Sequence, residues 1–113
     1  MPLNYKVYLK DILNSINEII NYTEDIKNYK KYISDTKTMR AVERNLEIIG
    51  EAVKKIPENI KNEHSDIDWR KISGLRDVLI HGYSDIDNEI IWEVISEKIP
   101  NLKKYIEKNF SFK

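Results

Sequence analysis

Apolar residues recur every three or four positions along most of this chain, which is the spacing expected for one buried face of an α-helix. The first such stretch predicts a helix from Leu3 to Tyr22. A shorter helix with Thr23 as its N-cap is predicted from Glu24 to Ser34. Asp35 or Thr36 is the predicted cap of the third helix, which continues to Ile56, where Pro57 stops it.

The second half of the chain predicts two more helices. A polar segment at 58–66 predicts a loop. Asp68 then caps a helix from Trp69 to His81, because an aspartate oxygen can accept from the first free N–H groups of a helix. Asp85 or Asp87 is the predicted cap of the last helix.

Pro100 lies within the apolar pattern of that last helix, so a kink or a restart is expected near Ile99. Five helices joined by short links predict an all-α fold, an up-and-down bundle of four or five helices. The length of 113 residues suits a single domain over residues 1–113.

Each predicted helix carries one apolar stripe that we expect to face the core. The predicted inward residues are Tyr5, Leu9, Ile12, Ile16 and Ile19; Ile26, Tyr29 and Ile33; Met39, Val42, Leu46, Ile49, Val53 and Ile56; and Ile91, Val94, Ile95, Ile99, Leu102 and Ile106.

Composition excludes several function classes. The chain has no cysteine, which excludes disulfides, thiolate catalysis and cysteine-based zinc sites. Its two histidines lack a metal-binding spacing, so no metal site is predicted. No apolar run reaches the ~20 residues that span a bilayer, and the start does not resemble a signal peptide, so we expect a cytoplasmic protein without a membrane partner. Nineteen basic and nineteen acidic residues balance, so any RNA site must be a local patch.

The fourth predicted helix has an arginine on an otherwise apolar stripe, formed by Trp69, Ile72, Arg76, Leu79 and Tyr83. Arginine stays charged in proteins, so Arg76 must reach solvent, a polar pocket or a partner subunit. His81 is five positions further on, which is about 140° around an ideal helix. Arg76 and His81 could converge if the helix loosens near Gly82, or if each faces a cleft between two subunits.

These residue types suit cleavage of an RNA phosphodiester. An imidazole titrates near neutral pH and can move the proton of a 2′-hydroxyl or of the leaving 5′-oxygen. A guanidinium can hold a phosphate with two hydrogen bonds and offset its developing charge. The 2′-hydroxyl is an internal nucleophile, so the reaction needs no metal or other cofactor.

Structural interpretations compete with each of these roles. A histidine near a helix C-terminus is favoured there by the helix dipole. Arg76 could be an ion-pair partner of Glu43, Glu47 or Glu51. One of these glutamates could instead orient Arg76 or His81, but we favour a solvated face on which Arg40 pairs with Glu43 and Arg44 with Glu47. His64, in the polar segment, is predicted to be a surface residue.

The block RDVLIHGY resembles the R-x4-H-x-Y signature of the HepT toxins of the HEPN superfamily, with Arg76, His81 and Tyr83 at the motif positions. The family's last two helices are matched by the stretch DIDWRKISGLRDVLIHGYSDID and by IIWEVI and IPNL, which follow it. RAVERNLEIIGEAVKKIP resembles its third helix. The resemblance covers nearly the whole chain, although the first two helices match only in pattern.

This resemblance implies an all-α homodimer that is the toxin of a toxin–antitoxin module. It implies an RNase whose Arg76 and His81 line a cleft at the dimer interface. Its implied partner is an MntA-type minimal nucleotidyltransferase, the antitoxin, which silences the toxin by transferring AMP to Tyr83.

Two other functions fit the same residues. The chain could be a non-catalytic subunit that binds a nucleotide and recognises substrates for a nucleotidyltransferase. It could also be a structural dimeric bundle in which Arg76 only makes ion pairs.

Overall fold

The computed structural model describes residues 4–82 and 86–112, all of them in helices or short links. In chain order the helices are α1 (Lys6–Thr23), α2 (Tyr29–Ile33), α3 (Thr36–Lys55), α4 (Glu58–Glu63), α5 (Trp69–His81), α6 (Asn88–Glu93) and α7 (Ile99–Asn109), with a wider helical turn, Val94–Lys98, joining α6 to α7. The predicted all-α class is confirmed.

The predicted apolar stripes form most of the core. Leu9, Ile12, Ile16 and Ile19 of α1 are fully buried, and so is Ile106 of α7. The six predicted inward residues of α3, which include its C-cap Ile56, are each at most 8% exposed. Burying a large aliphatic side chain contributes about 1.5–3 kcal/mol, so these stripes drive the packing of α1 and α5 against α3.

The second predicted helix differs from the observed one. Thr23 belongs to α1 and is not a cap, because its hydroxyl donates to the Ile19 carbonyl at 2.7 Å. Asn28 caps α2 instead, accepting from the Lys31 N–H at 2.9 Å. This later start changes the buried face: Tyr32 is fully buried, whereas Ile33, predicted to face inward, is 41% exposed.

Three predicted caps are confirmed. Asp35 accepts from the Thr38 N–H at 3.0 Å, and Asp68 accepts from the Lys71 N–H at 3.1 Å. Asp87 caps α6 by accepting from the N–H groups of the two residues after Asn88. Asp85, the other candidate for that cap, lies outside the described residues.

The segment 58–66, predicted to be a loop, contains the short helix α4. Pro57 is its N-cap, with an extended ψ of 147°, so the proline both ends α3 and begins the next helix. Helix α4 buries no residue, so it has no apolar stripe from which the sequence could have predicted it.

The interruption predicted near Ile99 is present as a wider turn. The Ile99 N–H donates to the carbonyl of Val94, five residues back, rather than four. Pro100 follows directly and has no N–H to donate, so regular α-helical bonding cannot pass through it.

Of the three central helices, α3 runs antiparallel to both α1 and α5. Lys55, at the end of α3, lies over the ring of Tyr8, near the start of α1. The start of α5 is at this same end. The Trp69 indole donates to the carbonyl of His64, whose ring packs on Phe110, and Phe110 contacts Tyr5 just before α1. Helix α5 therefore runs back along α3, and His81 lies toward the end where α1 finishes and α3 begins. We call this the His81 end of the bundle.

No helix within the described ranges has the length and apolar character needed to cross a bilayer.

Candidate active site

Arg76 lies where α5 crosses α3 at Gly50. A Cβ atom at Gly50 would overlap the Cβ of Arg76 and would lie 3.3 Å from the Ile72 carbonyl oxygen. Only glycine allows the two backbones to approach this closely. The aliphatic stem of Arg76 therefore packs on the bare backbone of α3, which explains how an arginine can occupy the apolar stripe of α5.

The guanidinium of Arg76 is held by two carboxylates. Its Nη2 lies 3.0 Å from Glu51 Oε2, and its Nη1 lies 3.0 Å from Asp77 Oδ1. The Arg76 side chain is 24% exposed, and its Nε atom is buried without a hydrogen-bond partner among the described residues. Arg76 therefore reaches the surface in a fixed position, and its Nε–H remains without a partner in the described part of the chain.

Asp77 links Arg76 to a second cation. Its Oδ1 accepts from Lys54 Nζ at 2.8 Å as well as from Arg76 Nη1. The hydrogen bond from Lys54, and then that from Arg76, lowers the pKa of the Asp77 carboxyl. We did not predict either residue, because the contact depends on how α3 and α5 are aligned, and spacing within one helix does not show that.

The three glutamates proposed to support the site form ion pairs with three different arginines. Glu51 is the partner of Arg76. Glu47 pairs with Arg44 at 3.4 Å and Glu43 pairs with Arg40 at 3.0 Å, as the competing structural interpretation predicted. That interpretation was wrong about solvation, because Glu43 is buried.

Glu43 has a buried neighbour in Tyr32. Burial, and secondly the charge of Glu43, raises the pKa of the Tyr32 hydroxyl. That hydroxyl has no hydrogen-bond partner within the described part of the chain. Glu43 therefore belongs to the packing of α2 on α3, whereas the ion pairs of Arg76 within the described ranges are with Glu51 and Asp77.

A shallow groove of about 350 Å³ runs across the outward face of α3 between α1 and α5. Arg76 and Ile80 line one side of it, and Tyr8 and Asp11 line the other. Arg44, Glu47, Glu51 and Lys55 are among its α3 residues. The groove therefore combines three cations with three carboxylates, and the Arg76 guanidinium opens onto it.

His81 is the exposed last residue of α5 and does not line this groove. Helix α5 stays regular up to its end, where the Gly82 N–H donates to the Val78 carbonyl. The loosening near Gly82 that could have brought Arg76 and His81 together is therefore absent from this helix. They remain about 140° apart around the helix axis. Tyr83 lies outside the described residues.

His64 is not the surface residue that we predicted. Its Nδ1 is 2.9 Å from the Tyr105 hydroxyl, and its ring centroid is 4.3 Å from that of Phe110. It therefore ties the end of α4 to α7. Within the described residues, no group of three or more His, Cys, Asp or Glu side chains is arranged to hold a metal ion.

Comparison with known proteins identifies the family. The model of the family described as "Ribonuclease HepT-like" matches residues 12–109. A protein of Thermococcus cleftensis named "Probable ribonuclease HepT" is 43% identical over 108 residues, covering 96% of this chain and 97% of that protein.

Two further relatives carry provisional RNase names. One, from Methanocaldococcus jannaschii, is 43% identical and covers 90% of this chain and 84% of its own. The other, from Caldanaerobacter subterraneus, is 40% identical and covers 88% of each chain. No solved structure matches this chain significantly. The chain therefore belongs to the ribonuclease HepT-like family of the HEPN superfamily.

Proposed function

We propose that this protein is a metal-independent endoribonuclease that acts as the toxin of a toxin–antitoxin module, with Arg76 and His81 as its catalytic residues. The observation that carries the proposal is the position of Arg76. A guanidinium on the apolar stripe of α5, anchored over Gly50 and by Glu51 and Asp77, presents its charge to a surface groove. This charge has no role in filling the core.

The proposed reaction is an internal transfer. The His81 imidazole takes the proton of a ribose 2′-hydroxyl, whose oxygen attacks the adjacent phosphorus. The bond from phosphorus to the 5′-oxygen breaks, and the leaving oxygen takes a proton from the His81 imidazolium, which returns to its neutral form. The products are a 2′,3′-cyclic phosphate and a free 5′-hydroxyl. Arg76 stabilises the negative charge that builds on the non-bridging oxygens.

This chemistry requires Arg76 and His81 to meet, and one copy of α5 keeps them on different sides. We therefore propose a homodimer in which a cleft between two protomers contains both groups. The side of α5 that carries His81 also carries Val78, which is 46% exposed. A dimer interface on this side of α5 would bury Val78 and bring a second protomer to His81.

We further propose that an MntA-type nucleotidyltransferase silences the protein. Its antitoxin activity would transfer AMP from ATP to the Tyr83 hydroxyl and release pyrophosphate. The bulky anion would stand two residues after His81 in the sequence, where it would repel RNA phosphates and occupy the cleft. RNA, a second copy of the chain and this antitoxin are thus the proposed partners, and the cytoplasm is the proposed location.

The test is cleavage of RNA by purified protein in EDTA. We expect the wild-type protein to cleave, and Arg76→Ala and His81→Ala each to lose at least about 100-fold in rate, as expected on removal of a general base or a charge stabiliser. Arg70→Ala is the matched control, because Arg70 is an exposed arginine on the same helix. Circular dichroism confirms that each variant is folded.

Unchanged cleavage in both site variants would refute the catalytic assignment. Absence of cleavage together with nucleotide binding that depends on Arg76 would instead favour a non-catalytic nucleotide-binding subunit.

A further inference from the structure

Basic residues are concentrated in one segment of this neutral chain. Residues 27–44 contain six Lys and Arg against two Asp and Glu, whereas the whole chain has 19 of each kind. The rest of the chain therefore has an excess of acidic residues. The segment comprises α2 and the first half of α3, so its charge is collected at the His81 end of the bundle.

Five of these six residues are exposed on α2 and α3, and we call them together the basic surface: Lys30, Lys31, Lys37, Arg40 and Arg44. Across the described ranges, the three lysines have no carboxylate within ion-pair distance. Arg40 and Arg44 each pair with one glutamate, but their side chains remain 68% and 70% exposed. The surface therefore keeps a positive charge that the protein itself does not neutralise.

The basic surface is continuous with the groove beside Arg76. Lys37, Arg40 and Arg44 are spaced by three and four residues, so they share the outward face of α3. Glu51, the partner of Arg76, lies seven residues further along this face, and Arg44 itself lines the Arg76 groove. From Lys37 to Glu51 the helix rises about 21 Å, so the three exposed cations lead along this face to the groove, where Glu47 and Glu51 pair with Arg44 and Arg76.

We propose that the basic surface binds the phosphate backbone of single-stranded RNA and guides the strand toward Arg76. This inference rests on the proposed function, because it takes the RNA to be the substrate. A line of exposed, flexible cations without a matching apolar pocket suits a repeating anion better than a folded protein surface. It also explains how a chain with no net charge can bind RNA.

The test measures binding separately from cleavage. His81→Ala protein, expected to retain uncleaved RNA, is titrated with a fluorescent single-stranded RNA between 50 and 200 mM KCl. The titration is then repeated with a variant of this parent that also carries Lys30→Ala, Lys31→Ala and Lys37→Ala. Because each lost phosphate contact removes about 0.7 from the slope of log affinity against log salt, we expect the slope to flatten by about 2. The ratio of the parent's affinity to the variant's should therefore fall about 16-fold between 50 and 200 mM KCl.

The control carries Lys98→Ala, Lys104→Ala and Lys108→Ala, three exposed lysines around α7, in the same background. We expect its slope to match that of the parent. Equal slopes for the basic-surface variant and the parent would overturn the inference. Loss of binding to a protein partner, with the slope for RNA unchanged, would overturn it as well. Failure of wild-type cleavage would refute the proposed function without changing this comparison of slopes.

Discussion

The side chain of Arg76 lies directly against Gly50, so that the charged residue of α5 and the bare backbone of α3 form one crossing point. Close packing of the helices and placement of the guanidinium thus depend on the same pair. A change at Gly50 affects both the stability of the bundle and the position of the proposed catalytic charge.

Gly50→Ala should destabilise the protein by about 1–3 kcal/mol, because the new methyl group overlaps Arg76 in a packed interface. The free energy of unfolding in urea measures this. Gly74→Ala is the matched control on α5, since a Cβ there meets nothing within 4 Å. It should be neutral or stabilise by up to about 1 kcal/mol, because alanine favours helix more than glycine does. Equal effects at both positions would contradict the crossing described here.

Glu51→Ala should lower kcat for RNA cleavage about tenfold, equivalent to about 1.4 kcal/mol in the transition state. The guanidinium of Arg76 would keep only Asp77 as a partner and would no longer be held in one position. Single-turnover kinetics with saturating enzyme measure the effect on the chemical step. Glu58→Ala is the control, because Glu58 is an exposed glutamate on α4 with a partner 3.8 Å away. Full activity of Glu51→Ala would show that Arg76 needs no such anchor.

The Asp77 carboxyl should titrate below the ordinary aspartate pKa of about 3.9, because Lys54 and Arg76 hydrogen-bond its charged form. Its folded pKa is depressed, so its contribution to stability is present above the unfolded pKa and is lost as pH falls through the folded value. NMR titration of the side-chain carboxyl measures this pKa directly.

Lys54→Ala should raise the pKa of Asp77 toward the ordinary value, because it removes the strongest of the hydrogen bonds that lower it. Lys55→Ala, at the neighbouring residue over the Tyr8 ring, should leave that pKa unchanged. If the pKa of Asp77 is the same in both variants as in the wild type, the ion-pair chain from Lys54 through Asp77 to Arg76 is wrong.

Tyr32→Phe should leave stability unchanged or raise it, because the Tyr32 hydroxyl is buried and has no partner within the described residues. Tyr105→Phe provides the contrast. It removes the 2.9 Å hydrogen bond to His64 and should cost about 1 kcal/mol. Thermal unfolding of the two variants compares these outcomes. A large loss for Tyr32→Phe would mean that its hydroxyl has a partner, such as a bound water.

Much of this fold could be predicted because its helices have regular apolar stripes and local caps. The α3 stripe and the caps at Asp35 and Asp68 depend only on residues close in sequence, and all of them are confirmed. Helix α2 could not be predicted correctly, because the competition between Thr23 and Asn28 as the cap is decided by how far α1 continues.

The candidate site was only partly predictable for a related reason. The sequence marked Arg76 by its misfit on an apolar stripe and offered Glu51 as one of three partners. Selecting Glu51, and finding Lys54 and Asp77, requires the relative depth and rotation of α3 and α5, which is fixed by the glycine at their crossing.

The wide turn between α6 and α7 holds one more residue than a regular α-helical turn, because the Ile99 N–H bonds to the carbonyl five residues back instead of four. Removing one exposed residue such as Glu97 would let the backbone close as a regular α-helix and would leave Leu102 and Ile106 packed against the core. The chain should therefore tolerate a single-residue deletion in this turn, whereas the same deletion in the regular part of α7 would rotate the residues after it by about 100°.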